Sequence, residues 1–117
     1  MIDTVSSTIE YKGKKYALVF NLNTMETLQD KYGSIDKWGE LTDPAQTGEP
    51  DIKAMIFAFE AMINEGIEIA NEDNNTNEPL LTHKQVARII TEIGIKNAQD
   101  KMNEVVVNSA GDDSKNA

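Results

Sequence analysis

The sequence predicts an α+β fold, an N-terminal antiparallel β-hairpin packed against a small bundle of about four helices. Three observations predict it. Residues 5–22 alternate apolar and polar positions around a Lys12-Gly13-Lys14 turn, the period of a strand pair with one covered face. From Asp51 to about Asn71 the apolar residues recur at the helical period instead. Helix-start signals stand before each later apolar run, at Asn23, Ser34 and Thr82.

In the first strand Val5, Ser7, Ile9 and Tyr11 share a face, and in the second Tyr16, Leu18, Phe20 and Leu22 do. Gly13 supplies the positive φ of a tight hairpin loop. Two strands are marginal alone, so helices must cover them. Asn23 is placed to cap the first helix, with Glu26 as the reciprocal partner of a capping box, and Met25, Leu28 and Tyr32 lie along one side. Gly33 ends it. Ser34 caps a short second segment in which Ile35, Trp38 and Leu41 point inward. Residues 42–50, with two prolines and a glycine, form a loop.

The core helix comes next. At 100° per residue Ile52, Met55, Ile56, Phe59, Met62, Ile63, Gly66, Ile67 and Ala70 fall within about 140°. Phe57 falls on the polar side, among Lys53, Glu60, Asn64 and Glu68. It is either covered by the 35–41 segment or the following loop, or it anchors a partner. Residues 72–79 are a polar stretch, read as a mobile solvated loop. Asp73, Asn75 and Asn77 match the first three positions of a calcium loop. Glu78 where glycine is needed and Lys84 where a bidentate Glu is needed break the match.

Thr82 opens another helix with Gln85 as its capping-box partner, and Val86, Ile89, Ile90 and Ile93 make a narrow stripe. After Gly94 the apolar residues Ile95, Ala98, Met102, Val105 and Val106 continue on a different side of the same wheel. A straight helix could not turn both stripes to one core. Either the chain bends at Gly94 and both stripes pack internally, or the second stripe meets another molecule. Residues 1–107 are expected to form a single domain and 108–117 a disordered tail.

Composition excludes whole classes of function. The chain has 117 residues, 20 Asp and Glu against 11 Lys and Arg, one His and no Cys. Disulfides, thiolate metal sites, cysteine nucleophiles and multi-His cages are thereby ruled out, and no metal or cofactor is expected. The net charge of −9 is unevenly spread: residues 41–79 hold Lys53 against nine acids, while the flanks are near neutral. With Arg88 the sole arginine and no basic stripe, nucleic acid is not an expected partner. Any acidic-surface effect on a basic client is expected to map to residues 41–79. No apolar run suits a membrane span, and the first residues lack the basic start and apolar run of a secretory signal, so a cytoplasmic protein is expected. There is no phosphate loop, nucleophile elbow or paired-His motif. His83 reads as a solvated first-turn residue, and an enzyme is not expected.

The segment from Tyr11 to Ser34, with its Lys-Gly turn, a strand ending Phe20-Asn-Leu22 and a short helix ending Tyr32-Gly-Ser34, resembles the opening of small tail assembly chaperones of long-tailed phages and prophages of Gram-positive bacteria. Later elements fit the same order, over about residues 8–93. The resemblance implies a non-enzymatic protein of virion assembly in the bacterial host cytoplasm. Such a protein binds the tape measure protein, keeps it soluble while tail tube subunits polymerise around it, and is absent from the finished tail. It carries no fixed functional motif across. From the residues themselves, Phe57, Ile95, Met102, Val105 and Val106 are the candidate partner contacts, for a client helix or for a second copy in a homo-oligomer; the tail tube protein is a further partner that the resemblance implies. A small structural virion protein, a tail or connector component retained in the particle, is the alternative.

Overall fold

In the computed structural model the described residues are 6–43 and 51–115. The fold is α+β: β1 (Ser6–Tyr11), β2 (Lys14–Val19), α1 (Leu22–Tyr32), α2 (Ile35–Thr42), α3 (Ile52–Asn74), α4 (His83–Ile93) and α5 (Ile95–Lys115). The hairpin is antiparallel, as expected. Among the described residues it packs against five helices where about four were expected. The difference lies at Gly94, whose φ of 96° and ψ of 142° put it in backbone space open essentially to glycine alone. There the expected bend becomes a complete break between α4 and α5.

The turn is a two-residue loop with Lys12 at φ 51° and Gly13 at φ 78°, the paired positive values that suit a twisted hairpin. Ser7 faces Leu18 and Ile9 faces Tyr16 across the strands. These side chains are covered, whereas Thr8, Glu10 and Lys15 on the other face are exposed. Val5 lies outside the described residues. Leu22, expected on the second strand's inner face, is instead the first residue of α1 and is 80% exposed. The strand stops at Val19 because Asn21 caps α1: its side chain accepts from Thr24 N–H, and Thr24 Oγ1 accepts from Asn21 N–H. This capping box lies two residues before the expected pair of Asn23 and Glu26. Glu65 on α3 holds both asparagines, accepting from Asn21 Nδ2 at 2.7 Å and Asn23 Nδ2 at 3.0 Å and placing a carboxylate beside the positive end of α1.

The long helix α3 lies beside the hairpin. A Cβ placed on Gly66 would stand 2.4 Å from the Ala17 carbonyl oxygen, so the two backbones are in direct contact. Strand carbonyls point within the sheet plane, so α3 covers the free edge of β2, a site that would otherwise invite pairing with another chain. On the helix's apolar face Met55, Phe59, Met62 and Ile63 are fully buried, as the periodicity predicts. They form one core with Leu18, Leu28, Trp38, Val86 and Ile89.

The polar stretch after the core helix is more ordered than its composition suggests. Helix α3 runs on to Asn74, and Asn75 closes it in the left-handed conformation. Asn71 then holds the returning chain by bonding to Glu78 N–H, to the Glu78 carbonyl and to Thr76. Lys14 pairs with Glu78 at 2.5 Å, and Asn64 makes two bonds to the Leu81 backbone as an adjacent strand would. The Thr82 and Gln85 capping box forms as read from the sequence. Helix α5 continues to Lys115, past Asn108 where a disordered tail was expected. The expected loop after Leu41 starts one residue later, since α2 includes Thr42, and its residues 44–50 lie outside the described set.

Candidate partner-binding surface

The five residues expected to meet a partner divide into three groups. Met102 and Val105 are corrected outright. They are 2% and 0% exposed and, with Ala98, belong to the main core. Gly94 is the reason: by breaking the helix it turns the second stripe back toward the hairpin, so both stripes face one interior. The Asn97 side chain secures this corner with a 2.7 Å bond to the Ile93 carbonyl, one of the acceptors left open at the end of α4.

Phe57 is half-buried and already has neighbours. The Tyr32 ring meets it edge-on at 5.8 Å, and Lys31 Nζ lies 5.4 Å from its centroid. Among the described residues the ring and cation contacts come from the end of α1, and loop residues 44–50 lie outside that set. Burial raises the pKa of the Tyr32 hydroxyl, with Asp51 adding to the effect. Phe57 and Tyr32 together line a cleft with Lys31, Asp51 and Lys53.

Ile95 and Val106 remain. Ile95 is 47% exposed, and Val106 is half-buried beside the core. Both line a cleft of about 1030 Å³ between α2 and α5. Trp38 walls the cleft on the α2 side, fixed by its indole N–H, which donates to the Ala54 carbonyl at 3.2 Å. Gln99 ties the helices together by donating to the Thr42 carbonyl at 2.9 Å. Carboxylates line this cleft: Asp36, Glu40 and Asp43 from α2 and its cap, and Asp100 from α5. Among the described residues its one basic side chain is Lys96, which is drawn to Asp100 at 3.2 Å.

Ile95 also lines a second cleft of about 530 Å³ between α3 and α4. The walls there are Ile52, Met55, Ile56, Ala87, Ile90 and Thr91, with no ionisable residue among them. Ile52, assigned to the core from periodicity, is instead the first residue of α3 and is 45% exposed. The two clefts share Ile95 and so make one surface, apolar at one end and acid-lined at the other.

Sequence reasoning found Ile95 and Val106 but missed Ile52, Asp36 and Glu40. A signal for Ile52 was present in its place directly after the capping Asp51. For the two acids there was none, since their neighbours in the cleft come from a helix about sixty residues away. Among the described residues no group of three His, Asp or Glu is arranged to hold a metal ion, and no helix is long and apolar enough to cross a membrane. Comparison with family models, curated proteins and solved structures returns no match.

Proposed function

We propose that this protein is a tail assembly chaperone of a long-tailed phage or prophage. It binds the tape measure protein, holds it soluble while the tail tube assembles, and performs no catalytic step. The observation that supports this reading is the continuous surface through Ile95, in which two half-exposed isoleucines stand at helix starts between open clefts. A helical client presents an apolar stripe that aggregates unless covered, and grooves between helices are a common way to cover one. The resemblance of residues 11–34 to the family's opening points the same way.

Co-expression tests it. The tape measure protein encoded beside this chain should stay in the soluble fraction when the chain is present and precipitate when it is absent. Mass spectrometry of purified particles should find the chain missing from mature tails. Stoichiometric amounts there would instead make it a structural tail or connector component.

A further inference from the structure

The composite surface is graded in polarity, and that gradient restricts what can occupy it. The trough between α3 and α4 is lined by side chains that cannot pair with a charge, so a charged group entering it would lose water without compensation. The cleft between α2 and α5 has the opposite character. Asp36 and Glu40 lie one helical turn apart at its edge, Asp100 faces them from α5, and Lys96 is already engaged by Asp100. An occupant bringing carboxylates or phosphates there would meet like charge, whereas Lys or Arg side chains would meet the opposite charge of Asp36 and Glu40 on the α2 side.

We propose that this surface takes an amphipathic helix of another protein, with its apolar anchor in the α3–α4 trough and basic residues over the α2–α5 cleft. Ile95 is the contact common to both ends. The inference deepens the chaperone reading by naming the client chemistry, and it rests on that reading for the client's identity. It disfavours a second copy as occupant, because this chain is itself acidic, at −9. An anionic membrane surface or a nucleic acid is disfavoured for the same reason.

Synthetic helical peptides test it on the full chain. Three probes of about 18 residues, five helical turns, suffice: one with a Leu stripe flanked by Lys, one with the same stripe flanked by Glu, and one with Lys but no stripe. Trp38 is the chain's single tryptophan and walls the cleft, so probes without Trp are followed by its fluorescence, and amide shifts locate the contact. The Leu and Lys peptide should bind, moving amides at Ile52, Ile95 and along α2, with affinity falling as salt rises. Binding should weaken about tenfold in the Asp36→Lys, Glu40→Lys variant and in Ile95→Ser. Unchanged thermal unfolding would show that the variants are folded.

Equal binding of the Glu-flanked or the stripe-free peptide would overturn the proposal. So would shifts confined to other faces, no binding at all, or a dimer whose interface maps to Ile95. The two readings fail separately. If the altered chain still keeps the tape measure protein soluble, this surface is wrong and the chaperone function stands. If the chain is found in mature tails while peptide binding behaves as described, the function is wrong and the surface stands.

Discussion

Replacing Gly66 by Ala tests the contact on which the hairpin depends. In an exposed helix this change stabilises, by about 1 kcal/mol, because Ala loses less backbone entropy than Gly. Here the new Cβ would stand 2.4 Å from the Ala17 carbonyl oxygen, and ordinary contact begins at 3.4 Å, so α3 and β2 must part by about 1 Å. No rotamer can absorb this, since the opposing atom is backbone. The neighbouring Leu18 and Val19 are buried and would move with the strand. Overpacking of this kind costs about 1–3 kcal/mol, and the rigidity of both partners argues for about 3. Set against the propensity gain, a net loss of about 2 kcal/mol is expected, a fall in melting temperature of roughly 6–12 °C. The assay is denaturant and thermal unfolding of Gly66→Ala beside Gly39→Ala, which has nothing within 4 Å of its added Cβ and should gain up to about 1 kcal/mol. A double variant that also carries Ala17→Gly should recover little, because it removes the Ala17 Cβ at 3.4 Å and leaves the oxygen in place. Stabilisation by Gly66→Ala, or full rescue by Ala17→Gly, would refute this account of how α3 seats on the strand edge.

Three other outcomes follow from the packing. Met102→Ala should cost about 2–5 kcal/mol by emptying a core site, while Ile95→Ser should stay within about 1 kcal/mol of the parent; equal losses in urea unfolding would mean that the two residues share one environment. Asn64→Ala removes both bonds to the Leu81 backbone and should speed hydrogen exchange at the Leu81 amide well beyond any change at Ile89. The Lys14 and Glu78 pair should hold the hairpin turn to the α3–α4 loop across the neutral range. Its hydrogen bond, aided by charge attraction, keeps the Glu78 carboxyl below the usual 4.5 and the Lys14 ammonium above the usual 10.5. Stability from Glu78 is thus present above the usual carboxylate value and lost as pH falls through the lowered one. Stability from Lys14 is present below the usual lysine value and lost as pH rises through the raised one. Both side chains are exposed to solvent, so the effect is small. NMR titration of the Glu78 carboxyl in the parent and in Lys14→Met would show it, with the midpoint returning to the usual value in the variant.

Local rules were legible in the chain wherever a structure depends on its immediate neighbours. The hairpin alternation, the stop at Gly33, the Ser34 cap, the Thr82 and Gln85 box and the buried face of α3 follow from backbone chemistry and periodicity within a few residues. The first cap shows the limit. Asn21 and Asn23 are both chemically able to start α1, and the carboxylate that holds both side chains there belongs to Glu65, forty-four residues away from Asn21. Ordering of the polar stretch after α3 draws on the neighbouring Asn71 and on the more distant Asn64 and Lys14.

For the candidate surface, the sequence by itself determined that a second apolar stripe begins after Gly94 and that the chain carries a strong acid excess. Only the tertiary structure decided where in the fold the stripe and the acids lie. The wheel angle of Met102 and Val105 is the same whether they face a core or a partner, and the direction of α5 after the break settles it in favour of the core. The sequence concentrates its acid excess in residues 41–79, whereas three of the four described acids that line the α2–α5 cleft, Asp36, Glu40 and Asp100, come from outside that stretch and join Asp43 because α2 and α5 face each other. The physical reason is one of range. Propensity and capping are settled over a turn or two of chain, whereas burial and the field in a cleft depend on which distant elements the fold brings within a few ångströms.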